Sequence, residues 1–270
     1  MFKACLKKEF LEEVRTKRFL RYILIACGMV FLSVFIMGIM AVVAKFDIPF
    51  EAEDQEIMSS LMTMFDPTYQ NFAMYFGTFI MTYFTIIYII MLMGVVSKDI
   101  SQNKWILPIS AGIMPETMIS AKLIVKTLSI VIAEVLAIII HFVCAISMFE
   151  STEIFGIGHL FVVYGGIVLF TIFMAVFTMA INAISKKPWV SAVTAICTLI
   201  IGTIILESIV VGGTPIIAFT PFLFYELSIN PIIELKAVHY IVSLSLWVLF
   251  VVGLSFGAIF STKIKPKKDK

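Results

Sequence analysis

Six apolar runs, each long enough to cross a bilayer, decide what this chain can fold into. They cover about residues 22–44, 72–96, 127–149, 160–185, 190–211 and 239–260. A hydrocarbon core about 30 Å thick needs about 20 apolar residues in a helix. Only helices and closed barrels satisfy their own backbone in lipid, and uninterrupted runs of this length select helices. Composition agrees, since 61% hydrophobic residues against 14% charged and a mean hydropathy of +1.06 lie far outside the range of a soluble domain. The expected fold is an all-α polytopic membrane protein, with residues 1–21 a helix of their own and residues 22–270 a six-span domain.

Positive charge near span ends marks the cytoplasmic side. Seven of the 20 lysines and arginines lie in residues 1–21, four in 97–126 (Lys98, Lys104, Lys122, Lys126), two at Lys186 and Lys187, and five in the tail from Lys263 to Lys270. Eighteen therefore fall on one side, against Lys45 and Lys236 on the other. The first connection on that other side is acidic, with Asp47, Glu51, Glu53, Asp54, Glu56 and Asp66. The expectation is a multi-pass protein of the plasma membrane with both termini cytoplasmic. The first run is too long for a signal-peptide core and reads as a retained anchor. Cys5 precedes the first span and Cys27, Cys144 and Cys197 lie within spans, so no extracellular disulfide framework is expected.

The N-terminal stretch MFKACLKKEFLEEVRTKRFLRY repeats Phe2, Leu6, Phe10 and Val14 every four positions, with lysines, Glu12 and Arg15 on the other faces. That spacing predicts an amphipathic helix suited to the headgroup plane.

The connection between the second and third runs, SQNKWILPISAGIMPETMISAKL, carries Trp105, Ile106, Leu107 and Ile109 among polar residues and lysines. A solvated loop has no use for that apolar content. Pro108 breaks the apolar stretch, while Pro115 and Glu116 suit the first turn of a new helix that continues into the third span. A short amphipathic element held between two spans can pass force from a soluble partner to membrane helices.

Together, the basic amphipathic start, the six spans and KWILPISAGIMPETMISAKL resemble the permease subunits of type-2 ATP-binding-cassette exporters. In that family an elbow helix precedes the first span, and the loop between spans two and three carries a coupling helix. Asp99, Leu107, Pro108, Ile109, Ser110 and Lys122 fit the family's loop pattern, and Asn103 and Lys104 stand about where it often has Gly-Thr. The resemblance implies a separate P-loop ATPase as partner, docked by Lys98, Asp99, Asn103, Lys104, Trp105, Leu107 and Pro108. Trp105 and Leu107 would fill a groove on it, with Lys98, Asp99 and Lys104 at the rim. It also implies a second permease copy, most simply a homodimer. The chain contains no G-x-x-x-x-G-K-[ST] motif, so ATP and magnesium are expected on the partner and no cofactor on this chain. A transporter subunit rather than an enzyme is expected, in contact with lipid and not with nucleic acid.

Other patterns bear on the path through the membrane. Glu134 lies about two turns into the third run and shares a helix face with Thr127 and His141. An ionisable group at that depth is a functional candidate, with a structural hydrogen bond as the competing reading. Asn71, Tyr75, Thr78, Thr82 and Thr85 form a polar stripe on the second run, facing either the translocation path or a packed interface. Glu207, near the end of the fifth run, reads as a solvated interfacial carboxylate. Gly253-Leu-Ser-Phe-Gly257 matches G-x-S-x-G but lies inside an apolar span, and is read as a small-residue packing face. His141, His159 and His239 are scattered, so no metal site is expected.

Residues 212–238 are apolar yet interrupted by Gly212, Gly213, Pro215, Pro221 and Pro231. Such a segment fits short helices dipping into the outer leaflet; the resemblance places an exit gate there, at Phe219, Phe222 and Phe224. Two function classes stay open. One is an exporter permease, with an amphipathic or hydrophobic peptide favoured over lipid or a small drug as cargo. The other is a membrane binding or assembly protein whose loop docks a different cytoplasmic partner.

Overall fold

A computed structural model of the chain describes residues 1–43, 69–148, 154–211, 214–229 and 235–261. The acidic first connection, with Lys45, and the lysine-rich tail lie outside the described residues, as do Gly212, Gly213 and Pro231.

The chain is an all-α polytopic membrane protein. Helix α1 (Phe2–Arg15) ends where the Thr16 hydroxyl donates to the Glu12 carbonyl at 2.7 Å. Lys17, at φ 56°, then turns the chain into α2 (Arg18–Val43). The second span is α3 (Tyr69–Thr78), a π-helical stretch at Phe79–Phe84, and α4 (Thr85–Leu92). Two short helices follow, α5 (Ser97–Ser101) and α6 (Ile106–Ser110). The long helices α7 (Pro115–Met148), α8 (Ile154–Ser185) and α9 (Pro188–Ser208) come next. A small antiparallel pair, β1 (Val210–Val211) with β2 (Thr214–Pro215), a 3-10 turn at Ile216–Phe219 and α10 (Leu223–Ile229) lead to α11 (Ala237–Ser261).

Six of these stretches are long and apolar enough to cross a membrane. The second and fourth are the most buried, while the first, fifth and sixth turn most of their surface outward. Helix α7 has 34 residues. At about 1.5 Å per residue it is about 51 Å long, well beyond a hydrocarbon core of about 30 Å. Its surplus is at the start, where Glu116, Lys122 and Lys126 lie, as the pairing of Pro115 and Glu116 with a helix start predicts. Its buried stripe runs through Lys122, Lys126, Ile130, Ala133, Glu134, Ala137 and His141. Small residues there let α2 and α8 approach closely.

Close approach occurs at other glycines than the sequence pattern indicates. A Cβ on Gly253 would meet nothing within 4 Å, and one on Gly257 only Ile184 at 3.9 Å. Neither serves as a tight packing face within the chain. Instead α10 lies against Gly77 and Gly166, where an added Cβ would stand 1.7 Å from the Ser228 carbonyl oxygen and 2.6 Å from that of Phe224. The apolar, proline-broken segment is thus packed into the helical bundle, with Ala218, Phe222, Leu223, Phe224 and Leu227 all buried.

Candidate functional site

At the end of the bundle where α1 meets α2, four segments converge on an ion-pair ladder. Helix α1 buries Cys5, Glu9 and Glu13, one residue per turn. Helix α7 buries Lys122 and Lys126, also one turn apart. The Lys122 Nζ donates to Glu9 Oε2 at 3.0 Å, and Lys126 Nζ pairs with Glu13 Oε1. Both rungs join residues 113 apart, so the helices run in the same sense. Lys122 also contacts Asp99 Oδ2 at 2.6 Å, and Lys104 reaches Asp99 Oδ1 at 3.3 Å. Arg18, at the start of α2, lies 3.8 Å from Glu13. One ammonium thereby ties α1, the α5–α6 connection and α7 together. Charges buried this deeply persist only when paired, and removing one partner leaves the other uncompensated.

Of the apolar stripe on α1, Phe2, Phe10 and Val14 are exposed and Leu6 is half-buried, while the face turned into the bundle carries the two acids. The missed signal was the matching i, i+4 spacing of Glu9 and Glu13 with Lys122 and Lys126, which only the fold brings side by side.

The connection itself is held from behind by Asn182 on α8, another residue the sequence does not single out. Its Oδ1 accepts from the backbone N–H groups of Val96 and Ser97 at 3.0 and 2.9 Å, and its amide donates to the Met93 carbonyl. With those groups satisfied, the chain leaves the second span at a fixed angle. Asn103, at φ 55°, and Gly112, at φ 80°, supply the turns on either side of α6. Pro108 falls in the first turn of α6, where its missing N–H costs nothing, so it belongs to the helix instead of breaking it.

The resulting presentation sorts the expected docking residues. Leu107 is 79% and Ile106 59% exposed, whereas Trp105 is 6% exposed and packs into the chain's own core. Asp99 is buried in the ladder, while Lys98, Asn103 and Lys104 are exposed. Trp105 therefore supports α6 from beneath, and Ile106 and Leu107 form its outward apolar surface. A polar cleft lined by Arg18, Lys98, Asp99, Gln102, Lys104 and Lys122 opens beside it.

Deeper in the bundle, Glu134 and His141 are fully enclosed, so neither lines an open path in this conformation. The Thr171 hydroxyl donates to Glu134 Oε1 at 2.6 Å, while Oε2 has no partner among the described residues. His141 stacks between Phe72 and Phe76 at ring separations of 4.0 and 4.1 Å, and its Nδ1 lies 2.8 Å from the Tyr164 hydroxyl. Thr127 instead lines an apolar groove shared with Ile172, Val176 and Ser255. The polar stripe is split by the π-helical stretch: Asn71, Tyr75, Thr78 and Thr82 are at least partly exposed, and Thr85 is buried with its hydroxyl donating to the Ile80 carbonyl five residues back. An inserted residue of this kind turns the remainder of the span by about 100°. Phe222 and Phe224 are buried and Phe219 half-buried, its ring edge-on to His239 at 4.8 Å. Glu207 is exposed.

Comparison with known proteins finds no family model that matches the chain and no matching curated protein.

Proposed function

We propose that the chain is the permease half of an ATP-driven exporter that docks a separate P-loop ATPase through α6. The observation that carries this reading is the exposed Ile106–Leu107 pair on a helix braced by Trp105 and linked through Asp99 and Lys122 to α1 and α7. A lone amphipathic turn on a rigid base transmits displacement, whereas a flexible loop absorbs it. The outward faces of the first, fifth and sixth spans leave room for a second copy, with the translocation path forming between two halves. An amphipathic or hydrophobic peptide remains the favoured cargo, matching the aromatic and methionine-rich helices.

The test is co-purification from native membranes of the Ile106→Asp plus Leu107→Asp variant. Loss of a nucleotide-hydrolysing partner at unchanged permease abundance and thermal stability is expected. Retention of the ATPase at wild-type stoichiometry would remove the docking role. Capture of a partner without ATPase activity on the same surface would favour the assembly-protein reading.

A further inference from the structure

We propose that the outward face of α1 binds anionic phospholipid headgroups. By sequence α1 is nearly balanced, with Lys3, Lys7, Lys8 and Arg15 against Glu9, Glu12 and Glu13. The fold unbalances it. Glu9 and Glu13 turn inward onto Lys122 and Lys126, leaving Glu12 as the one acid on the outer side of the helix, half-buried. Lys3, Lys7, Lys8 and Arg15 all stay exposed, and Lys17 and Arg21 extend the positive surface around the corner into α2.

The same face carries Phe10, Leu11 and Val14, exposed at 50%, 54% and 50%. A depression on the helix is lined in part by Lys7, Lys8, Leu11, Glu12, Val14 and Arg15, so three cations, one acid and apolar side chains share one surface. Water matches the cations alone and leaves the apolar side chains unfavourably exposed. A negatively charged membrane interface matches both, with the apolar groups at the acyl boundary and the cations at phosphate depth. Position agrees: two residues separate α1 from α2, whose first spanning stretch begins at Arg18, so the helix is held at the bilayer surface.

The experiment uses the full-length chain reconstituted in vesicles containing a trace of spin-labelled phosphatidylglycerol or phosphatidylcholine, and reads the motionally restricted fraction of each. The wild-type chain should retain phosphatidylglycerol with a preference of about fivefold or more at low salt, falling as salt screens the surface. Replacing Lys7, Lys8 and Arg15 together by Gln should bring the ratio close to one, and Glu12→Gln should raise it. These positions lie outside the buried ladder, so an unchanged melting temperature shows that the fold is kept. Equal retention of the two lipids by the wild-type chain would overturn the proposal and leave the cations for an acidic protein surface. A preference that survives the triple substitution would overturn it as well, placing the selectivity elsewhere on the molecule.

Discussion

Lys126 and Glu13 are both fully buried, so their worth depends on remaining together. Glu13→Leu alone strands the Lys126 ammonium and should cost about 3–5 kcal/mol; Lys126→Met leaves Glu13 only the half-exposed Arg18 at 3.8 Å and should cost somewhat less, whereas the double replacement should return to within about 1 kcal/mol of wild type. Thermal unfolding in detergent measures this, and the signature is non-additivity; simple addition of the two losses would mean the pair acts independently of its burial. Glu134 poses a related problem with a different answer, because its partner is a hydroxyl and not a cation. Glu134→Gln keeps a carbonyl for Thr171 and should melt close to wild type, while Glu134→Ala loses the acceptor and opens a cavity, for about 2–4 kcal/mol. If the carboxyl also serves the path, Glu134→Gln should lower transport at normal stability. Unimpaired transport would leave it a packing role.

Among elements, the spans were legible because length and hydropathy suffice to recognise them, and the Pro115–Glu116 start of α7 because helix-terminal chemistry is local. Long-range pairings have no such local signal. Nothing near Glu9 in the chain points to Lys122, and the π-helical stretch at Phe79–Phe84 sits within a run that reads as ordinary helix. The close approach of α10 to Gly77 is hidden for the same reason, whereas the spacing of Gly253 and Gly257 is visible in the sequence although those glycines meet no close neighbour within the chain. That approach can be tested. Gly77→Ala places a methyl inside the radius of the Ser228 carbonyl oxygen, and should destabilise by about 1–3 kcal/mol or more, or prevent accumulation of folded protein. Gly28→Ala, with nothing within 4 Å of the new methyl, should be neutral or stabilise α2 by up to about 1 kcal/mol. Equal melting temperatures for the two variants would mean that α10 does not pack between the second and fourth spans.

For the whole molecule, the arrangement separates two chemically different ends. One gathers Arg18, Lys98, Lys104 and Lys122 around a single polar cleft, with Lys186 and Lys187 in the turn between α8 and α9. The opposite end holds the α9 terminus with Glu207, the short β pair and the packed α10 segment. Positively charged segments beside spanning helices are retained in the cytoplasm during insertion, so the cleft end should face inward and the α10 end outward. Single cysteines in a chain whose Cys5, Cys27, Cys144 and Cys197 have been replaced provide the measurement. Lys98 and Glu207 are both exposed, on opposite ends, and Phe224 is buried beside Glu207's end. With a membrane-impermeant thiol reagent on intact cells, Glu207→Cys should label quickly and Lys98→Cys only after the membrane is opened. Phe224→Cys should react slowly in both conditions, because its side chain packs against protein and not against water. Labelling of Lys98→Cys in intact cells with protection of Glu207→Cys would invert the molecule, and α6 would then face away from any cytoplasmic ATPase. Fast labelling of Phe224→Cys would show that the α10 segment opens to solvent often enough to be a loop, and the exit gate would have to lie elsewhere among the spans.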